Sequence, residues 1–414
     1  MEDAKGINNS IITKRALLFM SIAGEPLVVL YTLLPFILRK DLHATPLQIS
    51  LFVSLKPIVA IFSFYLTSTL AKRGNGISGH LRGAWFLAYI PFLFFPFLDS
   101  FWYLLFAASF YQLFSKVVTP MSMELLKQHL PKEPRGRFFS WSFLLCFLES
   151  TLLGLLIGSL LDHNPSNWRL FAGGAALIAL SSFFIQKKIP VTDSPASILQ
   201  KTGKSNPLLD PVKESLQLME QNVEFKQFQW GFMIGGSALM FMAPALPLFY
   251  ADSLALSHET ISTARFLFMA IGVAASSFFW RVFLERRSVN QLMPWVTLGF
   301  ALFPLLLLLA TYQLACLNTA FFVYGVAQAG SHLIWHLSGT IFSKNQDSSP
   351  FTALNILLQG VRGLVAPFLG GLICSFFGAV PVLLIGSLGS IYGIFVMCKN
   401  NFKNQSKINI DAKL

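Results

Sequence analysis

Five ionisable side chains fall deep inside long apolar runs: Glu25, Lys56, Lys116, Glu149 and Arg362. A charge at the centre of a bilayer costs roughly 2.5–3.5 kcal/mol on insertion scales. Facing lipid, the five would together cost on the order of 13–17 kcal/mol, more than a typical folding stability. They are therefore expected to face a bundle interior or a water-filled cavity. At 1.5 Å per helical residue, Glu25, Lys116, Glu149 and Arg362 lie roughly 13–18 Å from one membrane face, near the midplane of a ~30 Å core. Lys56 lies in the other half. A guanidinium at that depth can clamp a carboxylate or phosphate through two parallel hydrogen bonds. A carboxyl whose cationic partner moves to a substrate can take up a proton. Each group also has a structural reading. Glu25 and Glu149 can form an internal ion pair with Lys116, and Lys56 and Arg362 can snorkel or cap a helix. Three embedded cations against two carboxylates leave one positive charge over, so an anionic or zwitterionic ligand is expected.

A second constellation is His332, Trp335 and His336. The histidines are four residues apart and share a helical face. That spacing suits zinc, but no carboxylate accompanies it, so no metal site is assigned. Proton relay or hydrogen bonding to a substrate is the functional reading, and hydrogen-bonded packing is the structural one. Cys146, Cys316, Cys374 and Cys398 sit in or beside apolar runs without metal or redox spacing and read as packing residues.

These residues need a scaffold that crosses a membrane. The 414-residue chain is 54% hydrophobic and only 12% charged, against roughly 25% charged for soluble domains. The apolar runs are about 20 residues long and do not alternate, which selects helices over barrel strands. Twelve spans are expected, near 16–38, 47–71, 82–98, 101–126, 138–161, 168–186, 229–251, 261–283, 291–312, 315–342, 351–374 and 378–398. The polar start and the long run from Ala16 do not read as a cleavable signal. Of the 31 Lys and Arg, 24 fall on the side of the N-terminus, 4 on the opposite side and 3 within spans. That asymmetry puts both termini in the cytoplasm and explains the net charge of +12 as topology rather than nucleic-acid binding. Residues 187–228 form a central polar linker, whose part Val212–Phe228 reads either as a surface amphipathic helix or as a solvated connection. Residues 399–414 form a basic tail, read as disordered.

The chain also repeats itself. Leu34–Ser50 and Leu246–Ser262 align without a gap at an offset of 212, with Leu34/Leu246, Pro35/Pro247, Leu42/Leu254, Ile49/Ile261 and Ser50/Ser262 identical. The same offset puts Gly158 on Gly370. Two halves of similar length follow, residues 1–186 and 229–398, each a six-helix bundle.

Local motifs give this pattern a family. The loop after span 2, Ser68-Thr69-Leu70-Ala71-Lys72-Arg73-Gly74-Asn75, resembles the Gly-x-Leu-Ala-Asp-Arg-x-Gly-Arg-Arg loop of the major facilitator superfamily (MFS) of secondary transporters. Pro131-Lys132-Glu133-Pro134-Arg135-Gly136-Arg137 after span 4 is similar to its Pro-x-x-x-Arg-Gly-Arg, and Asn167-Trp168-Arg169-Leu170-Phe171 to its Trp-Arg-x-x-Phe. The resemblance implies an all-α integral membrane fold of twelve transmembrane helices in two pseudo-symmetric bundles. It implies a substrate cavity lined by spans 1, 4, 7 and 10, which would hold Glu25, Lys116, His332, Trp335 and His336. It also implies gating loops around Lys72, Arg73, Arg135, Arg137, Glu285 and Arg286. Lys72 stands where the family has Asp, so that gating ion pair does not carry over. Span 5 has Gly154-x-x-x-Gly158 but not the Gly-Pro pair of drug/proton antiporters. The function implied is secondary active transport of a small metabolite by alternating access, coupled to protons, in a monomer at the cell (inner) membrane. Substrate binding would fall to Lys116, Arg362, Trp335, His332, His336 and Lys56, and proton coupling to Glu25 and Glu149. An exporter of cationic or lipophilic compounds and a non-transporting sensor on the same fold are the alternatives. No cofactor motif, nucleotide-binding loop or clustered catalytic set is present, which argues against a pump or an enzyme.

Overall fold

The computed structural model describes residues 2–72, 76–98, 100–130, 132–190, 217, 219–343 and 349–411, for some of which the backbone alone is described. The helical segments follow the expected order. They are α1 (Glu2–Lys40), α2 (Pro46–Lys72), α3 (Ile77–Tyr89, continued by a 3-10 turn), α4 (Phe101–His129), α5 (Lys132–His163) and α6 (Pro165–Gln186) in the first half. In the second half come α7 (Val223–Ser253), α8 (His258–Arg286), α9 (Val289–Leu309), α10 (Ala315–Ser343), α11 (Ser349–Phe377) and α12 (Ala379–Asp411). Among the described residues, nine helices are long and apolar enough to cross a membrane. Two expectations shift at the ends. Val223–Phe228 forms the first turns of α7 rather than a surface helix, because Asn222 caps it by accepting from the Phe225 amide, 3.0 Å, and Phe225 and Phe228 are buried against Phe342. The tail from Lys399 continues α12 as far as Asp411. That stretch contains no proline or glycine to stop it.

The chain divides into two compact units: Met1–Pro35 with Ile58–Gly203, and Phe36–Pro57 with Lys204–Leu414. Both transfers within α1 and α2 fall at a proline inside the helix. In the first unit, α3, α4 and α6 enclose an aromatic core of Trp85, Tyr89, Phe92, Phe95, Tyr111 and Trp168. Trp85 Nε1 ties α3 to α6 by donating to the Ala179 carbonyl, 2.8 Å.

The second unit packs through missing side chains. In an apolar solvent no hydrophobic drive separates protein from lipid, so helices associate where small residues allow close van der Waals contact. Gly272 of α8 lies against the Phe322 carbonyl of α10, and Gly325 of α10 lies against the Met269 carbonyl of α8. Gly370 of α11 meets the Phe241 carbonyl of α7, and Gly386 of α12 meets Met242. Gly363 of α11 seats the ring of Pro57.

The repeat is written in the backbone. Leu42 N donates to Ile37 O at 3.3 Å and Ala44 N to Leu38 O at 2.8 Å. At the same offset, Leu254 N donates to Phe249 O and Leu256 N to Tyr250 O, both at 3.0 Å. His43 and Ala255 both take a positive φ, 50° and 47°. The hydroxyls of Thr45 and Ser257 then cap the following helices, accepting from the Gln48 amide at 3.3 Å and the Thr260 amide at 3.0 Å. A left-handed residue with a Cβ costs roughly 1–2 kcal/mol, more when β-branched. Ala255→Val and His43→Val are each expected to lower the melting temperature of the purified protein, and Ala255→Gly is expected not to. A Val variant melting with the parent would show that these turns tolerate another path.

Candidate functional site

The second unit holds a guanidinium inside an apolar bundle. Arg362 of α11 is 7% exposed. Its guanidinium carbon lies 3.8 Å from the centroid of the Phe232 ring of α7. The same ring stacks on Trp335 of α10, with centroids 4.5 Å apart and an interplanar angle of 26°. Two planar groups that close cannot share a face, so Arg362, Phe232 and Trp335 form a three-layer stack. Cation–π attraction strengthens where water is excluded. Nη1 donates to the Phe232 carbonyl. This position exists because Gly236, one turn on, has no Cβ; a methyl there would overlap the guanidinium. Nε has no partner, and no carboxylate pairs with Arg362, among the described residues.

Beside the stack runs a buried polar chain. Gln229 Nε2 of α7 donates to Asn355 Oδ1 of α11. Asn355 Nδ2 donates to Ser338 Oγ of α10, 2.8 Å, and Ser338 Oγ donates to the Trp335 carbonyl, 2.9 Å. Phe232 is three residues from Gln229, Arg362 seven from Asn355 and Trp335 three from Ser338, so chain and stack use the same faces of the same three helices. The chain fixes the register of α7, α10 and α11 beneath the stack.

The first unit gathers the carboxyls. Glu25 of α1 is half-buried and accepts a hydrogen bond from Ser150 Oγ of α5. Glu149 lies within its electrostatic reach. So do Tyr89 and Tyr111, which are buried and pair through their hydroxyls. Tyr111 also packs on Tyr31, with centroids 5.3 Å apart. Gly24 clears the space: a Cβ there would lie 2.6 Å from the Tyr89 hydroxyl. Lys116 is exposed on α4 and makes no ion pair with either glutamate among the described residues.

The structure thus brings together Glu25 with Glu149 and Arg362 with Trp335. Lys56 is exposed on α2, and His332 is exposed on α10 one turn from Trp335. His336 lies on α10, Lys72 ends α2 and Arg135 is near the start of α5, but their side chains lie outside the described residues, as does all of Arg73. Arg137, Glu285 and Arg286 are exposed on α5 and α8.

Sequence reasoning missed Phe232, Ser150, the two tyrosines and the Gln229–Asn355–Ser338 chain. Asn and Gln inside apolar runs were the available signal for the last. It also missed a clasp within the second unit. Arg39 donates from Nε to both Asp252 carboxylate oxygens, 3.0 and 2.9 Å, with Nη2 2.7 Å from Oδ2. Lys40 Nζ donates to the Leu256 carbonyl, 2.6 Å, and His258 Nε2 lies 3.0 Å from Asp41 Oδ2. The clasp joins the two copies of the repeat.

A bundle of apolar helices carrying embedded charges is the architecture of a membrane transporter. The Major Facilitator Superfamily model matches residues 16–337, and the chain belongs to that family. Solved structures agree on the fold. The nucleoside transporter NupG superposes with a TM-score of 0.72 at 12% identity, covering 94% of this chain and 98% of that one. A POT family transporter in complex with 5-aminolevulinic acid gives 0.70 at 12% identity, over 94% and 95%. A bacterial homolog to the human lysosomal transporter Spinster, inward-facing and unoccupied, gives 0.64 at 13%, over 94% and 95%. No curated protein sequence matches the chain.

Gly236→Ala is expected to displace Arg362 and destabilise the protein by about 1–3 kcal/mol, as overpacking does. Gly236→Ala combined with Arg362→Met is expected to lose less than the two single losses added together, because the contact is shared. Additive losses in thermal unfolding would show that the glycine and the guanidinium do not press on one another.

Proposed function

We propose that the chain is a secondary active transporter that moves a small anionic or zwitterionic metabolite by alternating access, coupled to protons. The observation that carries the reading is Arg362. It is buried, oriented by Phe232 and the Phe232 carbonyl, and lacks a carboxylate partner among the described residues. A structure that keeps a guanidinium unneutralised at such depth leaves its charge for a ligand. An anion there gains charge-assisted hydrogen bonds in a low-dielectric setting. The ligands named for neighbours of the same fold, 5-aminolevulinic acid and sulfate, fit this class.

Glu25 is the proton site in this reading, with Ser150 holding one oxygen and Glu149 beside it. Two adjacent carboxyls disfavour sharing two negative charges, so the pair is suited to hold one proton. Trp335, His332, His336, Lys116 and Lys56 complete the groups that would meet substrate. The protein acts as a monomer in the cell inner membrane, with both termini in the cytoplasm. A second reading, export of cationic or lipophilic compounds in exchange for protons, rests on that same pair, because no cation neutralises it among the described residues.

Two measurements divide these readings. Melting temperature of the purified protein is followed against anionic, zwitterionic, cationic and neutral metabolites, since a ligand that binds the folded state raises it. Anionic or zwitterionic hits are expected, with affinity falling ~10-fold or more in Arg362→Lys, as loss of charge-assisted hydrogen bonds implies. Cationic hits indifferent to Arg362 would move the assignment to the exporter. In proteoliposomes, Glu25→Gln is expected to exchange substrate but not to accumulate it under a proton gradient. Undiminished accumulation would remove Glu25 from proton coupling.

A further inference from the structure

The strongest unexplained feature of the second unit is an open groove. Helix α7 packs against both α11 and α12, through Gly370, Gly386 and Gly389, while α11 and α12 diverge over its surface. The resulting cavity is about 590 Å³, within the usual range for small-molecule sites of roughly 300–1,000 Å³. Its floor is Ile234, Ser237 and Phe241 of α7. Its walls are Val361, Val365 and Leu369 of α11, four residues apart, facing Ile385 and Tyr392 of α12. All five wall residues are exposed on apolar helices, so the groove opens sideways toward acyl chains. Among the described residues, one charged side chain lines it, Arg362.

The occupant must satisfy both halves of that chemistry. The walls suit an extended hydrocarbon chain. The guanidinium of Arg362, which has no carboxylate partner among the described residues, suits an anion. Depth narrows the anion. Arg362 is the fourteenth of the 29 residues of α11, at its middle. The headgroup of a bilayer phospholipid sits at the membrane surface, roughly 15 Å from the midplane, and cannot reach it without drawing a bulky polar group into hydrocarbon. A carboxylate is small and pairs with a guanidinium through two parallel hydrogen bonds. We infer that this groove binds a long-chain carboxylate entering from the bilayer, with its hydrocarbon along α11 and α12 and its carboxylate on Arg362. The inference rests on the reading of Arg362 as an anion anchor and names the class of anion. Trp230 also lines the groove and supplies a fluorescent reporter of its occupant.

The test uses the full chain in lipid nanodiscs and a brominated long-chain fatty acid, whose bromines quench nearby tryptophan fluorescence. Brominated alcohol and amine of the same length are the controls. The fatty acid is expected to quench saturably, with a half-saturation at least tenfold below both controls. The saturable part is expected to vanish in Trp230→Phe. It is expected to weaken tenfold or more in Arg362→Lys and in the groove-filling variants Val361→Phe and Val365→Phe. Equal quenching by all three head groups, or quenching that both filled grooves leave intact, would overturn the proposal and mark ordinary lipid contact. The anion reading is scored separately by water-soluble ligands. If their Arg362-dependent thermal shift survives while fatty-acid quenching is non-specific, the anchor stands and the groove falls. If neither a soluble anion nor the fatty acid responds to Arg362→Lys, both fall.

Discussion

A guanidinium in an apolar bundle must find its hydrogen bonds and its counter-charge there, and the second unit is arranged around that demand. Arg362 is held by a ring face, a backbone carbonyl and an absent methyl group rather than by a carboxylate. Each of these is supplied by α7, so the approach of α11 to α7 is fixed by where the guanidinium must lie. Gln229, Asn355 and Ser338 then lock α10 to the same pair, through hydrogen bonds that have no competing water. In lipid, an unmade bond of this kind is expensive, which is why so small a chain can set the register of three long helices.

The first unit solves the opposite problem with the opposite means. A half-buried carboxyl is received by the Ser150 hydroxyl, with buried tyrosines nearby, and glycine again creates the room. The duplicated turns show how much chemistry can be laid over one backbone. Both copies use the same left-handed residue position and the same pair of wide hydrogen bonds, yet one presents Arg39, Lys40 and Asp41 where the other presents Asp252 and His258. The copies have become complementary, so a repeat that began as likeness now acts as a clasp.

The helical scaffold was legible in the sequence because hydropathy and span length are read directly from composition along the chain. The repeat was legible because its offset preserves Pro35 and Pro247 at matching turns. Arg362 and Glu25 were legible from the energetic oddity of charge in apolar runs. Their surroundings were not. An ion pair between Lys116 and the glutamates was the structural alternative for those carboxyls, but pairing depends on helix rotation, which apolar residues all round a helix leave undefined. Phe232 was one of 42 phenylalanines. Only the three-dimensional meeting of α7, α10 and α11 distinguishes it from the rest. Gly236 is half of a Gly-Gly pair, and nothing in the sequence marks its use, which is to admit a side chain from another helix.

The proline positions at which α1 and α2 pass from one compact unit to the other have a mechanical meaning. A proline inside a helix deletes a backbone hydrogen bond and softens bending at that point while leaving the turns on either side intact. Pro35 and Pro57 therefore act as a pair of flexures, with the hairpin of residues 36–57 between them as a stiff tongue. Such a tongue can tilt but cannot lengthen. Its second flexure is seated on Gly363, the residue next to Arg362. The bearing of that flexure and the buried guanidinium are thus neighbours on one turn of α11.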